Sequence, residues 1–229
     1  MEATIARQIN TNALSLGAIC ENSIIQLLNN AEAQSIPFIL GMDYLAAAAH
    51  FNYSFPAIVK DMISGLEGVV KLSYNYTLNM TLLEEEGYGI LIPSNAIGYT
   101  SNWMKDRLDY KDRVVRNMTG IKDEINALLI GFKGDPLVLQ GLIHDIINKA
   151  KNQWLRLIRT ELEAAYSQGN RDALLERGTR VAIIENDSPC DMCEDEVGEH
   201  EIDLLGTLGI DLPPYHPNCK CIFTGIFYN

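Results

Sequence analysis

The sequence predicts a mainly α-helical protein, with a helical N-terminal body, a long central helix and a small α+β module at the C-terminus. Apolar residues recur at helical spacing through most of the first 178 positions. After Gly178 the pattern changes to short β-branched runs, which are typical of strands. Four of the five cysteines fall within the last 40 of the 229 residues, so the candidate functional side chains are concentrated in the module.

The first region, residues 1–100, reads mainly as helices. Apolar spacing predicts helices over residues 18–33 and 42–51, and Pro37 and Pro56 are expected to punctuate them. Residues 69–99 stay open between a strand, suggested by alternating apolar residues, and a helix beginning near residue 82. The helices have thin polar faces, so they either bind a partner or are buried within this chain.

The second region, residues 101–229, begins with stronger helical signals. Residues 103–117 form the most basic predicted helix, and residues 121–132 form a second one. Asp135 and Pro136 are an N-cap and a first-turn proline, and they start a long helix predicted to run to Ser167 and stop at Gly169. Helices are thus expected over residues 101–178, followed by the module at 179–229, with strands at 179–185 and 221–227.

The charge is concentrated in that module. Residues 1–180 carry 17 basic and 20 acidic residues, a net −3, whereas residues 181–229 carry 1 and 10, a net −9, which together give −12. Phosphate binding needs clustered Lys and Arg, so gripping nucleic acid is not the main task. The basic helix indicates at most a weak contact with double-stranded DNA, and a solvated amphipathic face is the simpler interpretation.

No membrane span is expected, because the longest apolar stretch, residues 36–51, is broken by a proline, a glycine and an aspartate. The N-terminus lacks the basic start of a signal peptide, which indicates a protein of the cytoplasm. In that reducing compartment, crowded cysteines point to a metal more than to disulfides or free thiols.

Five side chains have the spacing of a zinc knuckle. Cys190 and Cys193 form C-x2-C, and His216 and Cys219 repeat that spacing after 22 intervening residues, with Cys221 two positions later. Short turns of this kind let two ligands converge on one tetrahedral Zn²⁺. The preferred set is Cys190, Cys193, His216 and Cys219, and Cys221 competes with His216 for the fourth position.

The other candidate ligands are weaker. His200 lies in an acidic stretch and is expected to be solvated, while Cys20, His50 and His144 lie on helical stretches without ligand partners. Four protein ligands leave no position for an activated water, so the zinc is expected to be structural. A deaminase would need an upstream H-x-E, which the sequence lacks, and the peptidase, phosphate-loop and nucleophile-turn motifs are missing too. No enzymatic activity is expected.

Three segments together resemble a known family. They are Arg-Thr-Glu at 159–161, Asp-Ser-Pro-Cys-Asp-Met-Cys at 187–193, and Pro-Pro-Tyr-His-Pro-Asn-Cys-Lys-Cys at 213–221. Their order, with a strand between the first two, resembles the C-terminal region of the Mu F-like head morphogenesis family of tailed-phage minor head proteins. Lys220 departs from the arginine usual there. The resemblance covers roughly residues 100–229.

The resemblance implies a minor capsid protein without enzymatic activity. Such a protein would meet the portal protein or the major capsid protein in the host cytoplasm, enter the procapsid, and stay in the capsid interior or at the portal vertex. In some members it would touch the genome or leave with it. The alternative is an intracellular adaptor with a zinc module that binds another protein through its acidic end.

Overall fold

A computed structural model describes residues 2–83, 110–205, 212–216 and 219–226, and for residues 2–17, 19, 72, 76 and 78–83 it describes the backbone alone. These parts contain four α-helices, a short 3-10 helix at Glu194–Glu196 and one three-stranded sheet, which confirms the expected fold class. The elements are α1 (Glu2–Leu40), α2 (Tyr44–Leu83), α3 (Tyr110–Gly131), α4 (Pro136–Glu176), β1 (Val181–Glu185), β2 (Gly198–Glu201) and β3 (Ile222–Ile226). None of the helices described has an apolar stretch long enough to cross a bilayer.

The chain divides into two compact units. The first, here the bundle unit, comprises Ala18–Leu66 and Tyr110–Arg156. The second, here the module unit, comprises Met1–Gly17, Glu67–Asp109 and Leu157–Asn229, described as far as the ranges above allow. The predicted boundary at residue 100 lies outside the described residues and stays a prediction.

The bundle unit packs parts of all four helices around an apolar core. Its largest fully buried side chains include Leu28, Phe51, Ile125 and Ile147, one from each helix. Glu32 Oε1 of α1 lies 2.7 Å from His144 Nδ1 of α4. Asn126 of α3 donates a 2.9 Å hydrogen bond to Asn52 of α2. The apolar side chains of residues 18–66 that face this core are thus buried within the chain, whereas others, such as Leu45 and Tyr53, are exposed.

Both N-terminal helices are longer than predicted, since Pro37 and Pro56 lie inside α1 and α2. A proline removes one backbone hydrogen bond of a helix and leaves a carbonyl unpaired one turn earlier. Both prolines are exposed, as are Ala33 and Asn52 four positions before them, so water can reach the carbonyls that lose their donors. This exposure explains why the prolines do not end the helices.

The strand suggested for residues 69–99 is wrong as far as residue 83, and so is a helix beginning near residue 82, because α2 ends at Leu83. The buried residues Val70, Ser73, Tyr74 and Thr77 follow a spacing of three and four, as one face of a helix requires. The rest of that segment lies outside the described residues.

The two helices predicted over residues 103–117 and 121–132 are parts of one helix, α3, which runs unbroken through residues 117–121. Residues 103–109 lie outside the described part. The burial of two residues is the opposite of that expected from the helical pattern: Arg113 is buried and Val115 is exposed. Arg113 lies three positions after Tyr110 and next to Val114, both buried, so the helical face includes the arginine and leaves Val115 outside.

Helix α4 begins at Pro136 as predicted but continues past Gly169 to Glu176. The chain leaves the helix two residues later at Gly178, whose φ of 74° suits a residue without a side chain. There the Thr179 amide donates to the Leu174 carbonyl at 3.0 Å, which closes the helix end and directs the chain into β1.

The sheet has the order β2-β1-β3, and both pairings are antiparallel. The two predicted strands are confirmed at β1 and β3, and residue 227 lies outside the described part. β2 was not predicted, because the sequence of Gly198–Glu201 resembles an acidic loop. In the sheet, Ala182 of β1 pairs with His200 on β2 and with Gly225 on β3. Ala182, Ile184 and Phe223 face the core of the module.

Candidate metal centre

Two tight turns bring the predicted ligands together. The first follows β1, where the Cys193 amide donates to the Cys190 carbonyl at 2.7 Å. The second precedes β3, where the Cys219 amide donates to the His216 carbonyl at 3.1 Å. Each turn joins residues three positions apart and leads to or from a strand. Because β1 and β3 pair directly, both turns are held at the same end of the sheet.

Cys190, Cys193 and His216 form one compact group. The Sγ atoms of Cys190 and Cys193 are 3.6 Å apart, and each lies within 3.2 Å of the His216 Nε2, at 3.1 and 3.2 Å. All three ligand atoms lie within 4.8 Å of one another. This spacing allows one ion to contact all three.

A second group shares Cys193 with the first. It contains Cys193, Cys219 and Cys221, whose sulfur atoms also lie within 4.8 Å of one another. The Cys193 and Cys219 Sγ atoms are 3.7 Å apart, while Cys221 Sγ accepts a 3.2 Å hydrogen bond from the Asn186 side chain. The five predicted ligands thus form one cluster centred on Cys193, compatible with a structural metal ion.

The cluster lies partly in the core and partly at the surface. Cys193 and Cys219 are buried, Cys221 and His216 are half-buried, and Cys190 is exposed. Burial raises the pKa of Cys193 strongly and also raises that of Cys221. The Met192 amide, with smaller contributions from Cys193, lowers the pKa of the Cys190 thiol. Cysteines coordinate a metal as negatively charged thiolates, which burial disfavours. A bound cation would supply the positive charge that stabilises them.

The cluster belongs to the core of the module. The described core residues include two ligands together with apolar side chains from α4, β1, β3 and the connecting segments: Leu174, Ala182, Ile184, Cys193, Ile202, Leu205, Leu212, Tyr215, Cys219 and Phe223. Tyr215 precedes His216 and is buried, and its hydroxyl makes no hydrogen bond within the described part. Metal ligands and core packing are therefore supplied by the same short segments.

The structure keeps the other candidate ligands apart from this cluster. His200 Nε2 lies 2.8 Å from the Glu196 carbonyl oxygen, and His50 Nε2 lies 3.2 Å from that of Ala31. His144 contacts Glu32, and Cys20 is buried in the bundle unit. The sequence did not single out Asn186, because a residue that opens an Asn-Asp-Ser-Pro turn looks like turn chemistry alone.

No family model, curated protein or solved structure matches this chain.

Proposed function

We propose that the module binds one structural Zn²⁺ through Cys190, Cys193, His216 and Cys219, and that the protein is a minor head protein of a tailed phage without enzymatic activity. The observation that carries the metal assignment is the convergence of Cys193 and His216, 3.2 Å apart across 23 positions.

The donor set favours zinc over the hard divalent cations. Thiolate and imidazole are ligands of Zn²⁺, whereas Mg²⁺ and Ca²⁺ prefer oxygen. Zn–S bonds of about 2.3 Å in a tetrahedron set the sulfur atoms roughly 3.8 Å apart. The Sγ separations of 3.6 and 3.7 Å along Cys190, Cys193 and Cys219 are close to that value. Four protein ligands would complete the coordination, which supports a structural role.

The module also needs a crosslink of this kind. Its sheet has three strands of four or five residues, and its core is built from a few short segments. A core of this size supplies little stability, and small modules commonly add a structural metal. Zinc binding would supply the missing free energy of folding.

The head-protein assignment rests on the resemblance of the three motif segments. All three segments contain buried residues: Thr160 and Glu161 on α4, Cys193 after β1, and Tyr215 and Cys219 before β3. The proposal therefore gives these residues a structural role and places the contacts to a portal or major capsid protein elsewhere. The net charge of −12 supports assembly with proteins over binding of the genome.

Elemental analysis tests the metal. Chain purified under reducing conditions is expected to hold about one zinc, and Cys190→Ser should lose it, because a structural site needs all its ligands. Cys20→Ser is the matched control, since Cys20 is buried in the bundle unit and should leave the zinc content unchanged. Less than about a tenth of a zinc per chain would contradict the proposal.

Sedimentation tests the head role. In cells that produce phage particles, the chain should migrate with procapsids or with a portal ring on a density gradient. An adaptor would instead follow a smaller host complex. That alternative is favoured by one feature, the exposed acidic side chains Glu194, Asp195, Glu199 and Glu201, which follow Cys193 in the sequence. Recovery of the chain only in such a complex would replace the head assignment by the adaptor.

A further inference from the structure

The bundle unit carries a surface that the metal site does not use. The α1–α2 turn (residues 41–43) and the α3–α4 turn (residues 132–135) lie at the same end of this unit. Two contacts fix this arrangement: Glu32 with His144, and Asn52 with Asn126, each residue lying in the half of its helix nearest the turn. Residues 38–45 and 130–138 are here called the bundle tip.

Large apolar side chains are exposed across the bundle tip. Leu45 is 80% exposed, Ile130 is 76% exposed, and Met42 and Leu137 are each 66% exposed. The full set is Phe38, Leu40, Met42, Leu45, Ile130, Leu137 and Val138. Both turns contribute, so the patch extends over the end of the unit and is not confined to one helix.

The backbone conformation of Met42 indicates that its exposed side chain has a role of its own. Its φ of 60° is left-handed, a conformation in which a residue other than glycine is strained by about 1 kcal/mol. It follows the last turn of α1, where the Asp43 amide donates to the Phe38 carbonyl at 2.9 Å. Glycine is the usual residue at such a helix end, yet here a large apolar side chain stands there, mostly exposed.

Charge at the bundle tip is nearly balanced. One lysine, Lys133, and two aspartates, Asp43 and Asp135, give a net −1 in a chain of −12. Both carboxylates cap helices: Asp43 accepts from the Ala46 amide at 3.0 Å, and Asp135 accepts from the Leu137 amide at 2.8 Å. Two copies of this chain repel each other over most of their surface, and the bundle tip is a place where that repulsion is small.

From these features we infer that the bundle tip binds the bundle tip of a second copy, forming a two-fold symmetric dimer. With about 170 Å² for each fully exposed large side chain, the exposed fractions give on the order of 700 Å² of apolar surface. Stable interfaces bury about 800 Å² per partner, so this patch is large enough to form the centre of one. A two-fold interface uses the same patch on both copies, which suits a surface without strong charge.

Light scattering after size exclusion tests the dimer with the full chain. At micromolar concentration the wild-type protein should have twice the mass of the 25.5 kDa chain. The double variant Leu45→Glu, Ile130→Glu should have the mass of one chain, because it would place four charges in one interface. Tyr53→Glu is the matched control: Tyr53 is 86% exposed on α2 but lies outside the bundle tip, so the dimer should persist.

Met42→Gly separates the interface from folding. It should raise the melting temperature by a few degrees, since it relieves the left-handed strain, while it weakens dimerisation several-fold. A wild-type chain that is monomeric at 100 micromolar, or a dimer that survives the double glutamate variant, would overturn the proposal. A monomer that floats with phosphatidylcholine vesicles would assign the bundle tip to a membrane surface and overturn it too. None of these measurements depends on zinc.

Discussion

Asn170 on α4 donates a buried 3.2 Å hydrogen bond to the carbonyl of Phe223 on β3, 53 positions later in the chain. Nearby, Gly225 brings β3 so close to α4 that an added Cβ would lie 2.7 Å from a Leu174 methyl carbon. These two contacts attach the sheet, and with it the second ligand turn, to the end of the long helix.

We expect Asn170→Ala to destabilise the module unit by about 1–3 kcal/mol, because the Phe223 carbonyl would stay buried without its donor. Urea unfolding followed by circular dichroism measures the change. Asn152→Ala is the matched control, since it makes the same replacement at an exposed position of α4 and should change stability by less than about 0.5 kcal/mol. Equal effects of the two variants would show that the Asn170 bond contributes nothing.

Ligand choice can be tested by comparing two cysteines of the second turn. The Sγ of Cys219 lies 3.7 Å from that of Cys193, whereas the Sγ of Cys221 accepts a hydrogen bond from Asn186. We therefore expect Cys219→Ser to abolish metal binding. Cys221→Ser should weaken binding by less than about tenfold, as expected for a group outside the coordination sphere. Cobalt substitution measures this, because the intensity of thiolate charge-transfer bands follows the number of sulfur ligands. Loss of one thiolate in Cys221→Ser would reverse the assignment.

Metal removal should loosen one unit only. A chelator under reducing conditions is expected to remove hydrogen-exchange protection from the amides of β1 and β3, because the free energy of metal binding supports that fold. The amides of Ile125 and Leu129 on α3 should stay protected, since their bundle unit contains no ligand of the cluster. Unchanged protection of β1 in the metal-free chain would mean that the sheet needs no ion.

Two glycines of α2 provide a paired test of helix packing. A Cβ at Gly65 would lie 2.8 Å from the Cys20 sulfur on α1, whereas one at Gly68 would meet nothing within 4 Å. Gly65→Ala should therefore cost about 1–3 kcal/mol through overpacking. Gly68→Ala should gain about 0.5–1 kcal/mol, because alanine favours the helix. Thermal melts measure both, and the same sign for the two variants would contradict the close approach of α1 and α2.

The sequence by itself determined the features that depend on neighbouring residues. Pro136 after Asp135 marked the start of α4, Gly178 marked the change from helices to strands, and the C-x2-C spacing marked the first ligand turn. Each is set by backbone geometry within a few positions, so a local pattern is enough to predict it.

Tertiary structure decided the features that depend on a distant partner. Pro37 and Pro56 stay within helices because their faces are exposed, and Arg113 is buried because the face of α3 that contains it packs inward. Gly198–Glu201 is acidic and short, and it becomes a strand only because β1 lies beside it. The ligand cluster likewise forms only when the pairing of β1 with β3 joins two turns that the sequence keeps apart. Burial and strand pairing are free energies of contact, and a sequence pattern specifies only one side of each contact.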